Sequence, residues 1–210
     1  MLSYGEGFTR EMIDHGRELI FIHISRTAGT SIEYACTLND WWNIEYKTKH
    51  LTCSQAHKQY PQYWTDYTTF SVVRNPYDRV MSMFACGVWA KSSGLRATDF
   101  GSYLVYFKHF VRYFGPNPNE ACGTIFQDEV LDEEIEYILR FERLQRDFSE
   151  MFNDLGHDFI KLPHVEAKGH PKWQEFYDKE ARQLVYERFE RDFDRFKYPN
   201  EENSIYYFTS

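Results

Sequence analysis

Residues 21–31 read Phe-Ile-His-Ile-Ser-Arg-Thr-Ala-Gly-Thr-Ser, an apolar run that stops abruptly in small, hydroxyl-bearing residues. Residues 70–82, Phe-Ser-Val-Val-Arg-Asn-Pro-Tyr-Asp-Arg-Val-Met-Ser, follow the same plan. Each reads as a buried strand that delivers polar groups to its carboxyl end, where α/β proteins bind ligands. The first unit offers backbone N–H groups and hydroxyls. The second offers Arg74 and, eight residues on, Ser82. Two separate phosphates on one nucleotide would require such a pair. No other feature of the chain limits its fold as strongly.

The remaining pattern alternates strands and helices. Residues 18–24 read as the first strand and 30–38 as a helix with Ile32, Ala35 and Cys36 facing inward. A short second strand is expected at 43–50, a helix at 54–60 and a third strand at 68–74. Pro76 suits a first helical position, where its missing N–H would be unpaired anyway. A helix-like aromatic segment at 100–114 ends in the Gly-Pro-Asn-Pro turn of 115–118. A fourth strand is expected at 137–141. Leu144, Phe148, Met151, Phe152 and Leu155 then recur at helical spacing, with Gly156 placed to stop that helix. Residues 159–162 read as a last short strand. Asp178 can cap a final helix carrying the apolar stripe Ala181, Leu184, Val185, Phe189, Phe193 and Phe196. This alternation predicts a three-layer α/β domain with a mostly parallel central sheet flanked by helices.

Composition narrows the classes. The 210 residues suit a single domain, with its core over about 18–198. With 27% charged and 42% hydrophobic residues the chain is globular rather than disordered. No run of eighteen apolar residues exists, and the charged first twenty residues fit neither a membrane span nor a secretory signal. The widely spaced Cys36, Cys53, Cys86 and Cys122 form no Cys-x-x-Cys pair, which points to reduced thiols and a cytoplasmic setting. A net charge of −8 argues against a nucleic-acid polymer as partner, though not against a local basic pocket. Aromatics reach 19%, and the clusters at 41–42, 60–64 and 103–114 exceed what a core needs. Some are expected to line a cleft where a sugar or another ring could stack.

The first loop differs from a nucleotide-triphosphate P-loop, which needs two glycines followed by Lys and Ser or Thr. Here Gly29 stands without a following Lys, and Arg26 precedes the turn. The backbone N–H groups of Thr27, Ala28, Gly29 and Thr30, at a helix N-terminus, can still cradle a phosphate. An ordinary capped helix start would look the same from this loop alone.

The octapeptide Ile24-Ser25-Arg26-Thr27-Ala28-Gly29-Thr30-Ser31 resembles the 5′-phosphosulfate loop of sulfotransferases that use 3′-phosphoadenosine 5′-phosphosulfate (PAPS). The version it resembles is the Ile-Pro-Lys-Thr-Ala-Gly-Thr-Ser of the carbohydrate-type branch. Residues 73–82 resemble the same family's 3′-phosphate motif, in which an Arg and a Ser eight positions apart grip that phosphate. Leu139-Arg140-Phe141-Glu142-Arg143-Leu144 with Asp147-Phe148 fits the family's late strand-to-helix unit. Leu162-Pro163-His164, Phe176-Tyr177-Asp178, Asp192-Phe193 and Phe196-Lys197-Tyr198 fit as well. The resemblance covers most of residues 18–198 and implies a P-loop-like domain.

It also implies roles. Thr27, Ala28, Gly29, Thr30 and Ser31 would hold the 5′-phosphate, and Arg74 with Ser82 the 3′-phosphate. Arg26 stands where the family usually has Lys, and Ser25 where it has Pro. Arg keeps the charge that stabilises a leaving oxygen but cannot readily give up a proton. By family position His164 and His170 flank a loop near the nucleotide, and Lys168 could reach the 3′-phosphate. His50, in His50-Leu51-Thr52, matches the segment that carries the family's base, and a neutral imidazole suits proton abstraction from an acceptor hydroxyl. A capping or surface histidine is the alternative reading. His50, Cys53 and His57 could suggest zinc, but no further ligand pair accompanies them, and no metal is expected. His23, within the first strand, reads as a core histidine.

The expectation is a sulfotransferase that moves the sulfuryl group of PAPS to a hydroxyl of a small molecule or glycan, without membrane insertion. A P-loop-like kinase and a non-catalytic nucleotide-binding regulator are the alternatives.

Overall fold

The computed structural model describes residues 12–37, 48–117, 122–165 and 169–200. In chain order the elements are β1 (Ile13–Asp14), β2 (Leu19–Ile22), α1 (Gly29–Thr37), α2 (Cys53–Gln59), α3 (Pro61–Trp64), β3 (Thr68–Val73) and α4 (Pro76–Cys86). They continue with α5 (Val88–Ser93), α6 (Tyr103–Tyr113), α7 (Gln127–Val130), β4 (Tyr137–Arg140), α8 (Leu144–Asp154), α9 (Trp173–Phe176) and α10 (Lys179–Phe196).

Among the described residues the strands form one four-stranded sheet in the order β1-β2-β3-β4. β2 pairs parallel with β3, Phe21 opposite Phe70, and β3 pairs parallel with β4, Val72 opposite Leu139. β1 alone runs antiparallel, joined to β2 by a turn in which Glu18 takes a φ of 55°. The fold is therefore α/β with a mostly parallel sheet. Every residue of β2 is buried, which is why its sequence is continuously apolar rather than alternating.

Parallel pairing has one consequence for function. It brings the carboxyl ends of β2 and β3 side by side, so the two motif loops share one edge of the sheet. Local chemistry then fixes α4. Asn75 caps it by accepting from the Tyr77 N–H at 2.9 Å, Pro76 opens it, and Gly87 closes it at a φ of 72°. Tyr77 packs on Trp173 and Phe193, with ring centroids 4.6 and 4.8 Å apart, and anchors α4 to α9 and α10. The stripe on α10 is buried at Ala181, Val185, Phe189, Phe193 and Phe196, with Leu184 half-buried.

Three expectations need adjustment. Residues 48–50 of the expected second strand form a turn, and 43–47 lie outside the described residues. Residues 159–162 are not a strand. The Gln145 side chain takes their backbone groups instead, donating to the Ile160 carbonyl at 3.0 Å and accepting from Leu162 N–H at 2.8 Å. Of the segment at 100–114, Phe100 ends a short 3-10 helix, Ala97–Phe100, and the α-helix runs from Tyr103 to Tyr113.

Candidate functional site

β2 ends at Ile22, and the buried residues His23 and Ile24 lead into the loop before α1. In that loop φ is positive at Arg26 (66°) and Ala28 (69°) but not at Thr27 or Gly29. Alternation of this kind turns successive N–H groups toward one side and makes an anion-binding nest, here continuous with the N-terminus of α1. A left-handed non-glycine residue carries roughly 1–2 kcal/mol of strain, so neighbours must hold it there. Three contacts do so. Thr27 Oγ1 donates to the Ile24 carbonyl at 2.7 Å, Arg79 Nε to the Ser25 carbonyl at 2.9 Å, and Arg74 Nη1 to the Arg26 carbonyl at 3.1 Å.

Arg74 is the hub of the second arm. Its Nε donates to Asp78 at 2.8 Å, its Nη2 contacts His170 Nε2 at 3.2 Å, and its guanidinium lies 3.8 Å from the centroid of the Phe141 ring. His170 donates from Nδ1 to the Pro171 carbonyl at 2.9 Å, which leaves Nε2 as the acceptor toward Arg74. Burial pulls the Arg74 guanidinium below its ordinary pKa, and Asp78 opposes that shift. The charge of an anion placed there would act in the same direction as Asp78 and offset the cost of burial. One helical turn and more along α4, Ser82 Oγ accepts from Arg26 Nε at 3.1 Å. Arg26 thus has its backbone in one arm and its guanidinium in the other.

Both arms open into one cavity of about 970 Å³. Arg26, Ala28, Gly29, Thr30, Ser31, Arg74, Ser82 and His50 line it together. So does Lys91, while none of the described residues on its wall is acidic; Lys49 also reaches the wall, but its ammonium is paired with Glu33 at 2.9 Å and adds no net charge there. In a chain of net charge −8, this is a local basic pocket of the kind an anionic nucleotide needs. Trp89, Phe110, Phe114 and Phe141 supply aromatic surface.

His50 sits in the turn before α2, fixed from behind by the Thr52–Gln55 capping box. Its Nδ1 donates to the His23 carbonyl at 2.9 Å. A carbonyl can only accept, so a neutral His50 carries its lone pair on Nε2.

The structure thus brings together most of the residues singled out in the sequence. Thr27 is the exception within the loop: its buried hydroxyl is committed to Ile24 and it does not line the cavity, which leaves its backbone N–H for an anion. Lys168 lies outside the described residues, as does the aromatic pair at 41–42. The aromatic cluster at 60–64 does not reach the cavity: Tyr60 is buried and Trp64 stacks on His57, 4.8 Å between centroids. His57 bonds Glu133 at 2.8 Å and Cys53 is fully buried, its thiol pushed up to about 12 by desolvation. Among the described residues no group of three or more His, Cys, Asp or Glu is arranged to hold a metal ion. Sequence reasoning missed Lys49, whose position follows from a tertiary pairing with Glu33 and not from any motif.

Comparison with protein families matches residues 10–199 to the Sulfotransferase family, and the chain belongs to that family. Comparison with curated proteins and with solved structures gives no match. The family implies a transferase of sulfuryl groups. No helix among the described residues is long and apolar enough to cross a membrane.

Proposed function

We propose that the protein transfers the sulfuryl group of PAPS to an acceptor hydroxyl on a carbohydrate or glycoconjugate. The observation that carries this reading is the single basic cavity on which the nest, the Arg74–Ser82 arm and His50 converge. The nest and the α1 N-terminus, with Gly29, Thr30 and Ser31, would hold the 5′-phosphate, and Arg74 with Ser82 the 3′-phosphate. The fold would then be the P-loop-like variant of an α/β domain. The aromatic wall formed by Trp89, Phe110 and Phe114 suits stacking against an acceptor ring, which supports a sugar without selecting one.

In the transfer, the acceptor oxygen attacks sulfur in line. The new O–S bond forms as the bond from sulfur to the 5′-phosphate oxygen breaks, and that oxygen keeps the electron pair. The hydroxyl proton passes to His50 Nε2. Arg26 would offset the charge growing on the departing phosphate. The products are the sulfate ester and adenosine 3′,5′-bisphosphate.

Calorimetry with the bisphosphate and with 5′-AMP tests the donor assignment. The bisphosphate should bind far more tightly, and Arg74→Ala should remove most of the difference, because charge-assisted contacts contribute about 1.5–3 kcal/mol. Equal affinities for the two nucleotides would refute it. ATP with magnesium, run beside them, would favour a kinase only if it bound more tightly than the bisphosphate.

A further inference from the structure

From the cavity wall, which His23 and Lys49 reach, a chain of polar side chains that the reaction as written does not use runs into the core. His23 Nδ1 donates to Glu33 Oε1 at 2.6 Å, and Lys49 Nζ donates to Glu33 Oε2 at 2.9 Å. Glu33 is fully buried, Lys49 is 1% exposed and His23 4%. Both carboxylate oxygens are occupied and the carboxylate charge is matched by Lys49, so the imidazole of His23 is held in one tautomer and one orientation. Apolar residues of similar volume would fill this space with less desolvation. What the ionic chain adds is a fixed ring.

That ring touches both halves of the site. On one side it lies against Gly29: a Cβ on residue 29 would sit 1.8 Å from His23 Nε2. The space that any other residue would need in the donor loop is therefore already filled by imidazole. On the other side, the His23 carbonyl accepts from His50 Nδ1, and the two rings lie 4.4 Å apart between centroids. Glu33 sits on the first turns of α1, the helix whose N-terminus completes the nest, and Lys49 is the chain neighbour of His50. The links thus run from loop to His23 to base, and from helix through Glu33 and Lys49 back to the base.

We propose that His23, locked by Glu33 and Lys49, is a positioning residue that sets the distance between the sulfuryl donor and His50. The proposal rests on the sulfuryl-transfer reading with His50 as base. In-line transfer needs donor and acceptor within near-attack distance, where a displacement of about 1 Å costs on the order of 10²-fold in rate. The role belongs to kcat: ground-state contacts to the nucleotide come from other residues.

Two experiments on the intact chain test it. The double variant Glu33→Gln/Lys49→Met removes both charges while keeping volume, so it avoids a stranded buried ion. It should bind adenosine 3′,5′-bisphosphate within about threefold of the parent, with an unchanged donor KM, and lose roughly 10–10²-fold in kcat. A merely structural pair would instead alter melting temperature and leave kcat alone. Parent kcat in this variant, with His50→Ala inactive, overturns the positioning role and leaves the function standing.

The second experiment reads binding and needs no turnover. Gly29→Ala in the parent should weaken bisphosphate binding at least about tenfold, because the new methyl drives into the ring. In a His23→Ala background the same change should cost less than about twofold. Equal losses in both backgrounds overturn the proposal. A parent that transfers sulfuryl to no acceptor overturns the enzymatic reading, and the Gly29 cycle then decides alone whether His23 sets the loop.

Discussion

Arg26 is the residue at which the loop departs most from the motif it resembles, and its placement explains how an arginine is accommodated there. Its φ of 66° bends the loop into a nest, while its Nε reaches Ser82 across the cavity. A guanidinium has the reach and the planar fork to serve both arms, where an ammonium would serve one as a point charge. Arg26→Lys keeps the charge and restores the residue usual in the motif the loop resembles, so it should keep bisphosphate affinity within a few-fold and retain or raise turnover. Arg26→Ala should lower turnover by about 10²-fold and affinity by much less, since the charge matters most as the bond breaks. Steady-state kinetics beside calorimetry would separate the two, and an Arg26→Ala protein with parent turnover would remove Arg26 from the transfer step. At this scale the sequence was legible where the cavity lining lies within short motifs: the loop, Arg74 with Ser82, and His50 all reach the same cavity. It was silent on Lys49, on the pairing of Glu33 with His23 and Lys49, and on the second face of His23. Those residues acquire meaning only through contacts across 10 to 27 positions, and no spacing rule encodes such pairs.

Elements were readable where strong punctuation coincided with strong periodicity. β3 and the start of α4 follow from an apolar run and Pro76, and α10 from Asp178 and its stripe. β1 went unread because two residues paired antiparallel leave no periodicity to detect. The expected strand at 159–162 failed for a different reason. Its apolar composition is real, but Phe159 is 67% exposed and Gln145 satisfies the backbone that a neighbouring strand would have claimed. The cap of α2 supplies the test at this scale. Thr52 holds both the helix start and the turn that carries His50, accepting from Gln55 N–H while the Gln55 side chain accepts from Thr52 N–H. Thr52→Ala should lower unfolding free energy by about 1 kcal/mol in urea denaturation and reduce kcat more than donor affinity. No change in either quantity would mean that the turn is held by other contacts.

For the molecule as a whole, the notable arrangement is an acidic chain built around a basic cavity, with buried charges tying the loop before α1 to the far side of the fold. Arg79 on α4 holds the Ser25 carbonyl and also donates to the Ile125 carbonyl at 2.7 Å. Asp192 on α10 accepts from the N–H groups of Gln127 and Asp128 at 3.1 and 2.9 Å. Burial raises the Asp192 carboxyl well above the usual range, and Arg79 only partly opposes this. A raised carboxyl means that the folded state binds the proton more readily than the unfolded one. Its contribution to stability is complete below the ordinary carboxylate pKa of about 4, and is lost as pH rises through the raised folded value. Unfolding free energies measured across that window should fall with pH in the parent and fall less in Asp192→Asn. Parallel curves would show that Asp192 titrates as an ordinary carboxylate.

The central claim is that one cavity both recognises the bisphosphorylated nucleotide and carries the base for sulfuryl transfer. Incubating the parent and His50→Ala with labelled PAPS and a panel of hydroxyl acceptors, with bisphosphate affinity measured on the same preparations, tests it most directly. The account predicts labelled ester from the parent, a rate about 10²–10⁴-fold lower from His50→Ala, and nearly equal nucleotide affinities for the two proteins. Transfer by His50→Ala at the parent's rate, or nucleotide binding by both proteins with no transfer by either, would contradict it.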